Sequence, residues 1–281
     1  MDTVIETICV RLTTRCNLKC YHCWSNSSFP VLDIDPVKLL DFLNSLKPIG
    51  LRHISLSGGE TTMYPKLKYL IRRLVDHNYE LSVTTNGTNV NELRKILDMV
   101  ICLLTARVHI RLSLDGWKTL HESIRGLGTY DEVLKSAREI NSMYGNIRLN
   151  TVVFKQPTNL HDLIHELSCF RVADWALITP VMRNIQNDMT FSRMDTLGNI
   201  SEWRREINKL LPNTYVQVWD YLSHPNGGIV IEADGTITMP GIMKCNDVII
   251  GNIETVRADM IADYIKRRMM KDPVSFFKYA K

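Results

Sequence analysis

Along the first 180 residues, segments with a strand-like pattern of apolar residues alternate with segments that have a helix-like pattern. This alternation predicts the fold. Short apolar or alternating runs, typical of strands, cover residues 5–12, 53–57, 81–85, 108–114, 147–154 and 175–179. Between them, apolar residues recur at the spacing of amphipathic helices over residues 35–46, 65–77, 90–100, 130–143 and 160–170. Six predicted strands therefore alternate with five predicted helices.

Strands that alternate with helices pair in parallel, because each helix carries the chain back to the start of the next strand. The predicted fold class is α/β, a partial (β/α)6 barrel of the TIM type, with functional residues at the carboxyl ends of its strands. We expect residues 1–180 to form this barrel and residues 181–281 to form a smaller extension that caps its site. In the extension, the alternation around Asp234-Gly235 predicts a β-hairpin, and residues 255–270 predict a final helix.

Composition narrows the class of protein. The 281 residues are 45% hydrophobic and 23% charged, which is ordinary for a globular chain. The net charge of +4 is mild and dispersed, so we expect no nucleic-acid partner. We expect no membrane association or secretion either, since no long apolar segment and no signal-peptide pattern occurs. Seven cysteines, three of them clustered, favour a reducing cytoplasmic setting over a disulfide framework.

The first chemical signal is a group of three cysteines, spaced C-x3-C-x2-C, directly after the first strand. Cys16, Cys20 and Cys23 lie within eight residues. Thiolates are the usual ligands of iron–sulfur clusters, and a cube of four irons normally takes four of them. Three cysteines would leave one iron open to another ligand, as in a catalytic metal site. Two alternatives stay open at this point: a zinc site completed by His22, and a redox-active dithiol.

A second signal is that the following strands end in polar and glycine-rich segments. These are Ser57-Gly58-Gly59-Glu60, Thr84-Thr85-Asn86-Gly87 and Ser113-Leu114-Asp115-Gly116. Each alone is an ordinary turn, but in a parallel barrel all three would surround the rim that carries the cysteines. Glycines allow backbone to approach a ligand closely, and Glu60 could hold an ammonium group.

Together, the cysteine motif and these strand ends resemble the radical S-adenosylmethionine (SAM) superfamily over roughly residues 5–180. The resemblance implies that Cys16, Cys20 and Cys23 hold a [4Fe–4S] cluster whose fourth iron is chelated by the amino and carboxylate groups of SAM. It also implies the remaining cofactor contacts. These are His22 for adenine through its backbone, Gly58, Gly59 and Glu60 for the methionine amino group, Asn86 and Ser113 for the ribose, and Arg125 for the carboxylate.

The resemblance further implies a reaction type. An external one-electron donor, such as a flavodoxin or ferredoxin, would reduce the cluster, and SAM would be cleaved to methionine and a 5′-deoxyadenosyl radical. That radical would abstract hydrogen from an unactivated carbon of a small-molecule or peptide substrate. A barrel suits such chemistry because its interior excludes water.

The C-terminal region resembles the start of the auxiliary-cluster domains of peptide-modifying relatives, but it contains only Cys245. One thiolate cannot hold a cluster. We expect Cys9, Cys102 and Cys169 to be small buried residues without a chemical role.

Cys245 is the candidate catalytic residue, in a segment expected to face the barrel mouth. Its thiol could return hydrogen to a substrate radical from the opposite side and so invert a carbon centre. This arrangement resembles radical SAM epimerases that act on peptides or aminoglycosides. The alternatives are a radical SAM dehydrogenase or peptide cross-linking maturase, a non-enzymatic metal-binding module, and a Cys245 that only packs in its loop.

The sequence says less about the substrate. Trp219, Asp220 and Tyr221, with Glu232 and Asp234, could form an aromatic and acidic rim suited to a polycationic sugar. The same residue types also serve packing and turns.

Overall fold

A computed structural model describes residues 5–23, 30–103, 106–153, 159–180, 193–219, 228–239 and 247–271. Within these ranges the strands form one ten-stranded sheet. The strands are β1 (Thr7–Arg11), β2 (His53–Ser57), β3 (Glu80–Thr85), β4 (Val108–Ser113), β5 (Ile147–Val152), β6 (Val172–Ile178), β7 (Tyr215–Trp219), β8 (Val230–Ile231), β9 (Thr236–Met239) and β10 (Val248–Asn252). The helices are α1 (Pro36–Ser45), α2 (Leu67–Asp76), α3 (Val90–Cys102), α4 (Lys118–Arg125), α5 (Thr129–Tyr144), α6 (Leu160–Leu167), α7 (Arg193–Leu210) and α8 (Ala258–Lys271). None of these helices is both long and apolar enough to cross a membrane.

Strands β1 to β7 pair in sequence order, and every pair is parallel. The α/β class and the partial TIM-type barrel are thereby confirmed. The parallel series contains a seventh strand, β7, which the sequence pattern did not predict. The segment Tyr215–Trp219 does alternate, but it is only five residues long and lies outside the regular series of strands and helices that defined the first six.

The start of helix α1 shows why the sequence pattern predicted this helix. The side chain of Asp35 caps α1 by accepting hydrogen bonds from the backbone N–H groups of Val37 (2.8 Å) and Lys38 (3.0 Å). Pro36 follows at the first helical position, where its missing N–H costs nothing. The helix then buries Leu39 and Leu43, which lie one turn apart on the face toward the core. The pattern did not predict helix α4, and it placed the end of α6 three residues too late.

The two faces of the sheet differ in character. Trp175 of β6 packs edge-on against Trp203 of α7, with ring centroids 6.1 Å apart. The preceding residue, Asp174, therefore lies on the face away from the helices, because neighbouring strand residues alternate between faces. There it pairs with Arg111 of β4, across β5. We call this face the inner face and the space it encloses the lumen.

The hairpin after the barrel continues the same sheet. Strand β8 pairs parallel with β1, and β9 and β10 follow in antiparallel pairs. The predicted Asp234-Gly235 turn joins β8 and β9: Gly235 has φ 82°, and the Asp234 side chain accepts a hydrogen bond from the N–H of Thr236 at 2.9 Å. This turn lies at the carboxyl edge, defined as the edge where the parallel strands end.

Because β9 runs opposite to β1, it ends at the amino edge, where the parallel strands begin. Met239, its last residue, pairs with Val248, the first residue of β10. Residues 240–246, including Cys245, lie outside the described residues. The residues that flank this segment are therefore at the edge opposite the rim at which we expected it.

Candidate active site

The loop that carries the cysteines leaves β1 at the carboxyl edge and stays hydrogen-bonded to the chain after β2. The N–H of Leu12 donates to the carbonyl of Ser57 (2.9 Å), and the N–H of Gly59 donates to the carbonyl of Thr13 (2.7 Å). The N–H of Glu60 then donates to the carbonyl of Arg15 (2.7 Å), the residue before Cys16. The strand pairing is thus prolonged up to the first cysteine and sets its position.

This close approach explains the glycine pair. A Cβ atom on Gly59 would lie 2.2 Å from the carbonyl oxygen of Arg15, and one on Gly58 would lie 2.8 Å from that of Thr13. Both neighbours are backbone atoms, which cannot move aside as a flexible side chain can. Gly58 and Gly59 are therefore required by the cysteine loop itself, whereas their contact with a methionine amino group stays a prediction.

Glu60 is buried and ties the end of β2 to the end of β3. Its Oε1 accepts hydrogen bonds from the N–H (3.0 Å) and hydroxyl (2.7 Å) of Thr62 and from the hydroxyl of Thr85 (2.6 Å). Its Oε2 accepts one from the N–H of Asn86 (2.7 Å). Four donors thus hold the carboxylate in one orientation. The predicted bond to an ammonium group would be in addition to them.

Asn86 contacts the cysteine loop directly. Its side-chain N–H donates to Oδ1 of Asn17 (2.9 Å), and Nδ2 of Asn17 donates to the hydroxyl of Thr88 (2.8 Å). Thr88 closes the ring by donating to Oδ1 of Asn86 from its N–H (2.9 Å) and its hydroxyl (2.8 Å). Sequence reasoning missed Asn17 and Thr88. This ring orients the residue that follows Cys16, while the predicted ribose contact of Asn86 stays a prediction.

The three cysteines are partly exposed thiols that form no disulfide with one another. Sγ of Cys16 accepts a hydrogen bond from the N–H of Leu18 (3.4 Å), and the N–H of Cys23 donates to the carbonyl of Cys20 (3.1 Å). Burial raises the pKa of the Cys16 thiol, although the bond from Leu18 opposes this. Burial likewise raises the pKa of Cys20 to about 11, against the effect of the Arg125 cation. Binding iron must therefore release protons from these thiols.

The donor set fits an iron–sulfur cluster. Three accessible thiols share one loop, and an N–H group already donates to one of the sulfurs, as is common around cluster ligands. Among the described residues, no three Cys, His, Asp or Glu side chains converge where a single ion would bind. A cube takes one thiolate at each of several irons, so its ligands need not converge in that way.

A buried ionic group adjoins the cysteine loop. Oδ2 of Asp115 accepts a hydrogen bond from Nε of Arg125 (2.6 Å) and lies 3.2 Å from Nε2 of His22. Its Oδ1 accepts one from the N–H of Val152 (3.0 Å). Burial alone would raise the pKa of Asp115, but the Arg125 cation and His22 outweigh it and hold the pKa well below its usual range. Asp115 is therefore a carboxylate that balances Arg125.

Arg125 and His22, two predicted cofactor contacts, are thus brought together. Nη2 of Arg125 lies 3.4 Å from Nε2 of His22, and the N–H of Tyr21 donates to the carbonyl of Ile124 (2.8 Å). The cysteine loop is in this way attached to α4. Sequence reasoning treated Asp115 only as a strand-end residue and missed its pairing with Arg125. The feature of the sequence that could have indicated this pair is the short separation between Asp115, at the end of a predicted strand, and Arg125, the next arginine along the chain.

Ser113 is buried at the end of β4, where it pairs in register with Asn150 of β5. Both residues belong to the inner face, near the carboxyl edge. Their position is compatible with the predicted ribose contact of Ser113, which stays a prediction.

The other cysteines behave differently from one another. Cys9 of β1 lies on the inner face, and burial raises the pKa of its thiol to about 12. Cys102 and Cys169 are exposed at or just beyond helix ends, so the expectation that they are buried was wrong. Sequence position near a helix end did not reveal which side of the helix each thiol faces.

Comparison with known proteins agrees with this geometry. Residues 10–166 match the model of the Radical SAM superfamily. The chain is 25% identical over 275 residues to a probable GTP 3′,8-cyclase of Pyrococcus horikoshii, covering 95% of this chain and 84% of that protein. It is 26% identical over 154 residues to the mycofactocin maturase MftC of Mycobacterium tuberculosis, covering 52% of this chain and 37% of that protein.

Among solved structures, SuiB of Streptococcus suis bound to SAM superposes with a TM-score of 0.74 at 16% identity, over 97% of this chain and 67% of that chain. SuiB has also been solved with its precursor peptide SuiA, and that structure gives a TM-score of 0.73 at 16% identity, over 97% of this chain and 66% of that chain. The family match covers more than half of the sequence. This chain therefore belongs to the radical SAM superfamily, whose members use a [4Fe–4S] cluster and SAM.

Proposed function

We propose that this radical SAM enzyme inverts one carbon centre of its substrate, with the thiol of Cys245 as the hydrogen donor. The cysteine loop lies at the carboxyl edge, and the residues that flank the Cys245 segment lie at the amino edge. Cys16, Cys20 and Cys23 would hold the cluster at the carboxyl edge. When bound there, the cluster and SAM supply a radical that removes hydrogen from an unactivated carbon.

The observation that carries the proposal is the direction of the hairpin strands. Thr238 pairs with Val230, which pairs with Cys9, the middle residue of β1, and Met239 lies one residue nearer the amino edge. Cys245 lies in sequence between Met239 and Val248, which are paired at that edge. A substrate in the lumen would thus lie between the carboxyl edge, where the cofactors would bind, and the amino edge, where the residues that flank the Cys245 segment lie. Removal and return of hydrogen from opposite sides is what inversion requires.

The chemical balance of the second half-reaction is simple. The S–H bond of Cys245 breaks and a new C–H bond forms at the substrate radical, leaving a sulfur-centred radical on Cys245. One electron and one proton then restore the thiol. We propose that the electron comes from the same external donor, of the flavodoxin or ferredoxin type, that reduces the cluster. The substrate is isomerised with no net change in its oxidation state.

Cysteine content supports this reaction over oxidative ones. Outside the Cys16–Cys23 loop the sequence has four cysteines, at positions 9, 102, 169 and 245. Cys102 and Cys169 are exposed next to different helices, and Cys9 lies inside the barrel. These positions do not favour an auxiliary cluster that would accept a surplus electron. A non-enzymatic metal-binding module is likewise disfavoured, because the relatives named above include enzymes.

The second candidate is a peptide maturase that oxidises or cross-links its substrate. It is favoured by the similarity to a mycofactocin maturase and to SuiB, which binds a precursor peptide. The two candidates differ in the mass of the product. Epimerisation in D2O adds one deuterium at the inverted carbon, because the thiol hydrogen exchanges with solvent, whereas oxidation removes two hydrogens.

The test uses the reconstituted enzyme with SAM, a reductant and a panel of peptides and aminoglycosides, in D2O. We expect Cys245→Ala to form 5′-deoxyadenosine as the wild type does but to give no inverted, singly deuterated product. Cys169→Ala, which removes an exposed thiol on the outside, is the matched control and should behave as the wild type. Inversion with deuterium incorporation in Cys245→Ala, or a product lighter by two hydrogens in the wild type, would rule the proposal out.

A further inference from the structure

The inner face holds an uneven set of charges that the cofactor site does not use. From it we infer that the lumen contains a binding site for an oxyanion of the substrate, a carboxylate or a phosphate, centred on the guanidinium of Arg148. This inference rests on the proposal that the substrate occupies the lumen, and it names one chemical group that the substrate carries.

Three arginines lie at one level of the sheet, one each on β1, β4 and β5, and we call them, with the side chains that bind them, the arginine layer. Arg11 pairs in register with Ser57, and Arg111 pairs with Thr84. Arg111 and Arg148 precede Leu112 and Leu149, which are register partners. In a parallel sheet, residues at one level point to the same side, so the three cations share the inner face.

Two of the three arginines are fully matched by carboxylates. Nη1 of Arg11 lies 2.6 Å from Oε2 of Glu232, which follows β8. Arg111 binds Asp174 through two parallel hydrogen bonds, Nη1 to Oδ1 at 2.7 Å and Nη2 to Oδ2 at 3.0 Å. All four side chains are largely buried. These pairs are therefore neutral units on the inner face.

Arg148 is the surplus cation. Its nearest acidic partner is Oδ2 of Asp174, at 3.7 Å, which is too far for a hydrogen bond. That oxygen already accepts hydrogen bonds from Arg111 and from Nε2 of Gln217 (2.7 Å). Within the described part of the chain, the guanidinium of Arg148 donates no hydrogen bond, and 27% of its side chain is exposed. Its charge is thus present in the lumen, reachable and unsatisfied.

The physical chemistry of such a group points to an oxyanion. A cation in a largely enclosed site is costly unless it is paired, and here burial lowers the pKa of Arg148, with Arg111 acting in the same direction and Asp174 opposing it. An arginine fork fits the two oxygens of a carboxylate or phosphate. Nearby His109 adds no positive charge at neutral pH, because burial, together with Arg148 and Arg111, lowers its pKa to about 4 against the opposing effect of the Glu80 carboxylate.

The same ion pairs bear on whether the substrate is a polycationic sugar, the candidate for which the sequence suggested an acidic rim. Glu232 was one of the acidic residues of the expected rim, yet its charge is balanced by Arg11. Trp219, an aromatic residue of the same expected rim, donates its indole N–H to Gln217 (3.0 Å), the residue that also binds Asp174. Two of the rim residues therefore belong to the arginine layer, and the layer as a whole favours a negative group. Asp220 and Tyr221 lie outside the described residues.

The test measures anion binding without turnover, so its result is separate from the role of Cys245. The melting temperature of the anaerobically reconstituted enzyme is followed while inorganic phosphate, or in a second series acetate, replaces chloride at constant ionic strength. We expect at least one of the two anions to stabilise the wild type in a saturable manner, and the series that does so identifies the group. Arg148→Gln should weaken this binding about tenfold, the usual effect of losing a charge-assisted hydrogen-bonded pair.

Two further variants keep the test decisive. Arg138→Gln removes an exposed arginine of α5 and should bind the anion as the wild type does. Arg148→Lys keeps the charge without the planar fork and should give intermediate binding, and it serves if Arg148→Gln does not fold. Equal stabilisation of the wild type and Arg148→Gln would overturn the inference. So would the absence of any saturable effect of either anion on the wild type.

Discussion

Gly59, which was predicted to contact a ligand, is required by the packing of its own chain. Its missing side chain leaves room for the carbonyl of Arg15, which receives the N–H of Glu60 and precedes Cys16. The glycine therefore acts on the cysteines by backbone packing. Any ligand contact would come in addition to this structural role.

Gly59→Ala is expected to displace the cysteine loop. The added methyl would lie 2.2 Å from a backbone oxygen, and such overpacking costs roughly 2 kcal/mol of unfolding free energy. Iron bound per chain after reconstitution should fall, and chemical denaturation should show the loss of stability. The control is Gly198→Ala, where a Cβ meets nothing within 4 Å in helix α7 and alanine should be neutral or stabilising. Full iron loading and unchanged stability in Gly59→Ala would contradict the role given to this contact.

At the scale of elements, side chains link strands that are not neighbours. Arg111 of β4 and Asp174 of β6 bind each other across β5, and Gln217 of β7 adds a further donor to Asp174. Glu60 and Asn86 join the ends of the neighbouring strands β2 and β3 to each other and to the cysteine loop. These links hold the carboxyl edge and the inner face in one arrangement.

Removing one partner of the buried pair should be costly. Arg111→Met leaves Asp174 with Gln217 and a guanidinium 3.7 Å away, and breaking a buried ion pair costs on the order of 3 kcal/mol. Denaturant unfolding of the variant should show this loss. The double variant Arg111→Met with Asp174→Leu should recover part of it, because the carboxylate that lost its bidentate arginine is then removed as well. A single variant as stable as the wild type would show that the pair does not hold these strands together.

Sequence reasoning reached the features that are local in the chain. The three cysteines, the strand ends and the Asp234-Gly235 turn each fall within a few residues, so their meaning depends little on register. It could not reach the pairing of Asn17 with Asn86, of Asp115 with Arg125 or of Arg111 with Asp174. Each of these pairs depends on which residues of different strands and helices face one another. The exposure of Cys102 and Cys169 was missed for the same reason.

At the scale of the molecule, the two edges of the sheet have separate tasks in this account. The carboxyl edge carries the cluster cysteines and the groups that hold their loop. The amino edge carries the residues that flank the Cys245 segment, and the arginine layer lies between the two edges. The role proposed for Cys245 requires a single cluster per chain, so that its thiol holds no iron.

Iron and acid-labile sulfide per chain, measured after anaerobic reconstitution, test this requirement most directly. We expect about four of each, the content of one cube, and a loss of that content when Cys16, Cys20 or Cys23 is replaced by alanine. The Cys245→Ala variant should retain the full amount, since its thiol holds no iron. About eight irons in the wild type, falling to about four in Cys245→Ala, would mean that Cys245 binds a second cluster and would contradict its proposed role as hydrogen donor.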